Sequence, residues 1–226
     1  MQISTPLPET LIFDLDGTLV DTSADLCAAL NHVLRELRRP EVDHETVRHL
    51  VGHGARALIE RGLALTGNAD PERVDGAVPL FLRYYADHIA DASRPYPGVE
   101  AALDALSLAG VTHAVCTNKP TALANQLLGA LSWRQRFVAV LGGDSLAVRK
   151  PAAAHVLETI RAAGGSVATS VFVGDSAVDV AAARAASVPV IVVSFGFADR
   201  AAEELGADAV INHYDALVPL LKQRTW

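Results

Sequence analysis

An α/β fold is the class this sequence predicts: a parallel sheet with helices on both faces and an all-helical insertion after its first strand. Three observations point to it. From Val99 onward, short apolar runs alternate with stretches of helical spacing, the pattern of repeated βα units. Between Ser23 and Asp91 only helical spacing is found. The run Leu11-Ile12-Phe13 ahead of that block reads as a buried strand. It belongs with the later strands, so the helical block interrupts one domain. The expected division is residues 1–20 with 95–226 for the core and residues 21–94 for the insertion.

The first strand runs into Asp14 and Asp16, where Gly17 breaks it. Thr22 or Ser23 then caps a helix to about residue 38, with Leu26, Leu30, Val33, Leu34 and Leu37 on one face. Pro40 ends it. Asp43 caps a second helix whose Val47, Leu50 and Val51 share a side. Gly52-His53-Gly54 breaks the chain before a third helix over 55–65. Asp70-Pro71, a cap followed by proline at the first helical position, opens a fourth that runs to about residue 91. Arg94-Pro95-Tyr96-Pro97-Gly98 reads as a stiff linker. Beyond it, helices are expected over 99–109, 121–130, 152–163 and 178–186, and strands over 112–116, 137–141, 171–173 and 189–193. Residues 201–205, 209–211 and 216–222 supply a last helix, strand and helix.

Half of the 226 residues are hydrophobic and few are aromatic, a helix-rich α/β composition with room for one core and a smaller appendage. Charges or glycines interrupt every apolar stretch short of the ~18 residues a membrane span needs, so no membrane partner is expected. A formal charge of -7 with no basic stripe argues against nucleic acid. The opening Met1-Gln2-Ile3-Ser4-Thr5-Pro6 lacks the basic-then-apolar pattern of a leader. Cys27 and Cys116 make neither a disulfide framework nor a metal motif. A reducing cytoplasm is the expected compartment.

Asp14 and Asp16 lie two apart on an extended chain and so leave by one face. Two carboxylates ~4 Å apart at an effective dielectric of about 20 repel by roughly 4 kcal/mol. The pair therefore implies a cation between them, or a proton held on one. Read alone, Asp-x-Asp-Gly is equally a strand-ending turn. Its glycine falls too early for a calcium loop of the EF-hand kind.

Ligands of open α/β sheets bind beyond the carboxyl ends of the strands. The polar residues there are Asp14 and Asp16, then Thr117 and Asn118, then Asp175, Ser176 and Asp179, with Lys150 in the loop before a helix. Singly, each has a bland reading: Thr117-Asn118 as a capping turn, Lys150 as a surface lysine, Asp175 and Asp179 as a cap and a first-turn acid. Together they fit phosphoryl transfer, which needs an in-line nucleophile, a divalent cation, donors on the phosphoryl oxygens and an acid for the leaving group. Asp14 is placed to attack phosphorus and form an aspartyl-phosphate. Mg²⁺ offsets the repulsion between the two anions, with Asp14, Asp175 and the backbone carbonyl of Asp16 as oxygen ligands. The Thr117 hydroxyl and the Asn118 amide meet the phosphoryl oxygens, and Lys150 adds positive charge. Asp16 protonates the departing alcohol and then activates water.

In this order, Asp-x-Asp-Gly-Thr-Leu-Val-Asp-Thr, Thr-Asn-Lys-Pro, Lys-Pro and Val-Gly-Asp-Ser-x-x-Asp resemble the four motifs of the haloacid-dehalogenase-like hydrolases. The resemblance spans nearly the whole chain. It implies a Rossmann-like core with a helical cap at residues 21–94, and a Mg²⁺-dependent phosphomonoesterase. Its roles fall on Asp14 as nucleophile, Asp16 as acid and base, and Gly17, Thr117, Asn118 and Lys150 around the phosphate. Metal ligation falls on Asp14, Asp16 and Asp175, and Asp179 matches an acid that ligates metal or orients the lysine. Dehalogenating members lack the second aspartate, so Asp16 argues against that activity. Within the family, Val51-Gly52-His53-Gly54-Ala55, Tyr96-Pro97-Gly98, Thr117-Asn118-Lys119-Pro120 and Leu141-Gly142-Gly143-Asp144 are similar to signatures of the bacterial phosphoglycolate phosphatases. That similarity implies 2-phosphoglycolate as substrate, with His53, Gly54 and Arg56 holding its carboxylate. Read as residues only, Gly52-His53-Gly54 is equally a helix–helix turn with an exposed histidine. Ala152-Ala153, Ser187 and Ser194-Phe195-Gly196 depart from the subgroup's usual His-Pro, Gly and Thr-Trp-Gly, none of them at a catalytic position.

Other readings keep this site and change the substrate to a sugar phosphate or N-acetylmuramate 6-phosphate, or make the chain a phosphomutase. A phospho-accepting receiver-like domain is the non-enzyme alternative, and the Asp-x-Asp pair and the helical insertion stand against it. The expected partner is a small phosphorylated metabolite, with the chain a monomer or a homodimer.

Overall fold

In the computed structural model, which describes residues 6–198, 200–223 and 226, the chain enters by strand β1 (Thr10–Phe13) and a two-residue strand β2 (Val20–Asp21). Residues 1–5, most of the segment read for a leader, lie outside the described residues. Four helices follow: α1 (Ser23–Glu36), α2 (His44–Arg48), α3 (Ala55–Thr66) and α4 (Pro71–Asp87). Strand β3 (Arg94–Pro95) then returns antiparallel to β2. The alternating part runs α5 (Val99–Leu108), β4 (Thr112–Cys116), α6 (Thr121–Ala130), β5 (Ala139–Leu141), α7 (Ala153–Ala162), β6 (Ser170–Gly174), α8 (Ala177–Ala185), β7 (Val190–Val193), β8 (Ala209–Ile211) and α9 (Leu217–Gln223).

The sheet order is β5-β4-β1-β6-β7-β8, all parallel. The expected Rossmann-like α/β core is what forms. β1 is apolar from Leu11 to Phe13 because both of its faces are covered, as parallel strands require. Leu11 and Phe13 join one buried cluster and Ile12 the other. From β1 the chain builds outward through β4 and β5, then crosses back to β6 and continues through β7 and β8. Strand order therefore reverses at β1, and a crevice opens beyond its carboxyl end.

The two ends of the helical segment are tied to each other, and its α2 is tied to the core. Asp25 of α1 accepts hydrogen bonds from the Ala92 and Ser93 amides (2.9 and 2.8 Å) and from the Ser93 hydroxyl (2.6 Å). Arg48 of α2 reaches the far side of the crevice, donating to the Phe195 and Gly196 carbonyls at 3.3 and 3.2 Å. Its guanidinium lies over the Phe197 ring, 5.1 Å from the centroid.

Differences from the sequence reading are local. The stretch read as a linker contains β3, whose two residues are too short for any periodicity to show. Residues 202–205 form a 3-10 turn closed by Gly206 at φ +74° rather than an α-helix. Thr22 stands at the start of α1, yet its hydroxyl points to Asp16 and caps nothing. No helix among the described residues is long and apolar enough to cross a membrane.

His113 of β4 is 2% exposed, packs edge-on against Phe13 at 5.8 Å, and leaves Nε2 without a hydrogen-bond partner. Burial pushes its pKa down to about 4 from an ordinary 6.5. The unfolded chain then binds the proton first. Stability from the neutral ring is complete above about 6.5 and is lost as pH falls from there towards about 4. Urea titrations from about pH 7.5 to about pH 4.5 should therefore show wild type losing ground to His113→Leu as pH falls. A gap that stays constant with pH would remove His113 from this account.

Candidate active site

Asp14 is the first residue past β1, and its amide donates to the Val173 carbonyl at 2.9 Å, so sheet pairing sets its place. Asp175 is the first residue past β6, and Asp179 lies in the first turn of α8. Carboxylate oxygens of Asp14, Asp175 and Asp179 all fall within 4.8 Å of one another, and all three residues are buried. A lysine stands among them. Lys150 Nζ, 2.7 Å from Asp179 Oδ1 and 2.9 Å from Asp14 Oδ1, belongs to a side chain that is itself 1% exposed.

Each carboxylate has different company. Asp179 Oδ2 accepts from the Ser176 hydroxyl (2.6 Å), the Ser176 amide (3.1 Å) and the Asp175 amide (3.2 Å), which closes the capping box of α8. Asp175 accepts from the Thr18 hydroxyl and the Phe197 amide, both at 2.8 Å. Asp14 Oδ1 accepts no hydrogen bond despite its contact with Lys150. Glycines make the room: a Cβ on Gly17, at φ +83°, would stand 2.5 Å from Asp175 Oδ2, and one on Gly196 would overlap Asp175 Cβ.

Burial pushes Asp14 up to about 6, with Asp179 and Asp16 adding to the rise and Lys150 opposing it. Asp175 is driven well above the usual carboxylate range, again by burial first and then by Asp179 and Asp14. Burial alone would lower Lys150, but Asp14 and Asp179 hold it above its ordinary value. The cluster carries more negative charge than one lysine balances. With Asp179 engaged at both oxygens, Asp14 and Asp175 keep lone pairs to spare. An all-oxygen donor set of this kind suits a hard divalent cation.

Asp16 stands outside the three-carboxylate cluster but lines the same cleft as Asp14. β1 ends at Phe13, and Gly17 turns the chain just past Asp16. Its carboxylate accepts from the Thr22 hydroxyl at 2.8 Å and from Lys119 Nζ at 2.9 and 3.2 Å. Lys119 also donates to the Tyr85 hydroxyl of α4 at 2.6 Å. Burial, with the Asp16 and Asp25 charges, keeps that phenol protonated well above its usual range.

Asp14 and Asp16 share a cleft with Thr117, Asn118 and Lys119 on one wall and Gly54, Leu58, Phe81 and Tyr85 on the other. Thr117 is buried, and its hydroxyl accepts from the Lys119 amide at 3.3 Å. The Asn118 side-chain amide donates to the Gly52 and Lys150 carbonyls at 3.2 and 3.1 Å, leaving Oδ1 unpartnered. His53 and Arg56 are not brought to this cleft. His53 is exposed, and Arg56, at the second position of α3, faces α4 and pairs with Asp75. Sequence reasoning does not single out Lys119, Tyr85, Thr18 or the Phe197 amide. For Lys119 a signal exists: a polar run at a strand end contains it.

Residues 11–193 match the family model of the haloacid dehalogenase-like hydrolases. A phosphoglycolate phosphatase of Agrobacterium fabrum is 47% identical over 222 residues, covering 98% of this chain and 95% of that protein. The phosphoglycolate phosphatase of Mesorhizobium japonicum is 44% identical over 215 residues, 95% of each. Among solved structures, a predicted phosphoglycolate phosphatase from Haemophilus somnus superposes with a TM-score of 0.89 at 28% identity, covering 96% of this chain and 98% of that one.

Gly17→Ala tests the crowding around Asp175. Left-handed backbone costs a residue with a Cβ roughly 1–2 kcal/mol, and the methyl must also displace the carboxylate. Calorimetric titration with a divalent cation should show affinity falling by about tenfold or more, while far-UV circular dichroism stays unchanged. Unaltered affinity would mean that Asp175 is not a ligand.

Proposed function

The chain belongs to the haloacid dehalogenase-like hydrolase family and is a phosphoric monoester hydrolase, and we propose that it hydrolyses 2-phosphoglycolate to glycolate and phosphate through an aspartyl-phosphate on Asp14. One observation carries the assignment of the nucleophile. Asp14 belongs both to the three-carboxylate cluster and to the lining of the cleft, whereas Asp175 and Asp179 belong to the cluster alone. The choice of substrate is supported by likeness, along nearly the whole chain, to relatives named for that activity.

In the proposed reaction an Asp14 oxygen attacks phosphorus while the bond to the glycolate oxygen breaks, and Asp16 gives that oxygen a proton. Water then attacks the phosphorus and loses its proton to Asp16, which frees phosphate and restores Asp14. The Thr117 hydroxyl, the Asn118 backbone amide and Lys150 hold the phosphoryl oxygens. Asp179, bonded to Lys150 and to the start of α8, keeps the lysine in place. Asp14, Asp175 and the backbone carbonyl of Asp16 would hold Mg²⁺, which would supply charge that lets one anion approach another. Residues 21–94 serve as the cap, their Leu58, Phe81 and Tyr85 closing one wall of the cleft against water.

A phosphate-release screen over metabolite phosphates with Mg²⁺ should give 2-phosphoglycolate the highest kcat/KM, and a sugar phosphate ahead of it would overturn the substrate. Asp14→Asn should lower turnover by at least about 10³-fold on every ester. Chelation should remove activity, and added Mg²⁺ should restore it. Asp16→Asn should slow the second step, so rapid-quench samples should show phosphorylated enzyme accumulating.

A further inference from the structure

Among the described residues that line the cleft, Lys119 is the one cation, and its side chain is 3% exposed. Its donors go to Asp16 and to the Tyr85 hydroxyl, and Nζ lies 4.3 Å from the Tyr85 ring centroid. Around it the cleft is lined by Leu26, Leu58, Phe81 and Leu82. In such surroundings attraction between opposite charges is strong, and an ammonium that loses its anion is left at heavy cost. Asp16 is held in turn by Thr22, so the acid and base of the proposed reaction is committed to an ion pair rather than free in the cleft.

The proposed substrate carries its own anion. In 2-phosphoglycolate one methylene separates the ester oxygen, where Asp16 must act, from a carboxylate. The charge that reads this carboxylate has to face the cleft. Arg56 does not, being spent on Asp75 outside it. We propose that Lys119, with the Tyr85 hydroxyl beside it, is the residue that determines substrate choice. It takes the carboxylate of the substrate in place of Asp16, and this exchange of partners frees Asp16 to meet the ester oxygen. The ammonium has one anion before the exchange and one after it, and Asp16, once off the ammonium, takes from water the proton that it gives to the ester oxygen. An ester with no second anion leaves Asp16 on Lys119 and is turned over slowly. The proposal rests on the phosphatase reading above and adds to it a way of coupling recognition to the acid.

The test compares 2-phosphoglycolate with ethyl phosphate, which has the same two-carbon alkoxide length and no carboxylate, using the Mg²⁺-loaded enzyme. Wild type should favour 2-phosphoglycolate by about 10³-fold or more in kcat/KM. In Lys119→Met, where no ammonium holds Asp16, that ratio should fall by about 100-fold or more, with the loss on 2-phosphoglycolate lying in KM and ethyl phosphate turned over at least as fast as by wild type. Lys119→Arg should recover part of it. Tyr85→Phe keeps the Lys119–Asp16 pair and should lower the ratio by about tenfold through KM. Should Lys119→Met not fold, Tyr85→Phe and Lys119→Arg decide the matter. Equal losses on both esters, or a wild type indifferent to the carboxylate, would overturn the proposal. A wild type that prefers another carboxylate-bearing ester, with the preference lost in Lys119→Met, would sink the 2-phosphoglycolate assignment and leave the role of Lys119 standing.

Discussion

A buried ammonium between buried carboxylates governs the carboxyl edge of this sheet. Lys150 touches Asp14 and Asp179, while Asp175 stands within the same group and is held by a hydroxyl and an amide instead. At an effective dielectric of about 20, each ion pair attracts by roughly 6 kcal/mol and each pair of carboxylates ~5 Å apart repels by roughly 3 kcal/mol. Repulsion and attraction nearly cancel before any cost of burial is counted. The fold can hold this arrangement because rigid elements bring each member in separately: β1 ends at Asp14, β6 at Asp175, and α8 carries Asp179 on its first turn. The remaining charge imbalance is what makes the site receptive to a cation, and it arises from topology, since the strand order reverses here.

A second charged group sits a short way off and is built differently. Asp16, Lys119, Thr22 and Tyr85 join the strand-end loops to α4 and to the start of α1. The first group belongs wholly to the sheet and its loops. The second spans both parts of the chain. In the proposed reaction the nucleophile belongs to the first group and the acid and base to the second, and the two groups meet in the short turn from Asp14 to Gly17.

Much of this architecture is legible in the sequence, for physical reasons. Periodicity locates elements that are long enough to repeat, so the six strands of the main sheet and the four helices of the insertion fall within a few residues of where the pattern puts them. β2 and β3, two residues each, have no period to detect. The cluster at the strand ends is legible because a buried apolar strand seldom delivers an acid to its end unless a cation or a proton meets it there. Asp14, Lys150, Asp175 and Asp179 come together as expected. Asp16 shares the cleft with Asp14, but its ion pair with Lys119 joins two segments far apart in the chain and leaves no mark on local spacing. His53 and Arg56 are singled out by likeness to a subgroup signature, but His53 lies ahead of α3 and is exposed, and which side of α3 Arg56 takes depends on packing against α4. Lys119 escapes notice for the opposite reason, since a lysine in a loop looks like a surface residue until the neighbours that bury it are known.

The fastening of the helical segment has a consequence for how such a protein can change. Where the segment leaves the core and where it rejoins it, β2 lies against β3, and Asp25 grips the Ala92 and Ser93 amides. Its two ends are already neighbours, so its length is irrelevant to the geometry of the sheet. A longer, shorter or wholly different excursion could be spliced between those ends without shifting a strand. Selection could thus remodel the wall of the cleft that Leu58, Phe81 and Tyr85 form while the strand ends that carry Asp14 and Asp175 are inherited intact.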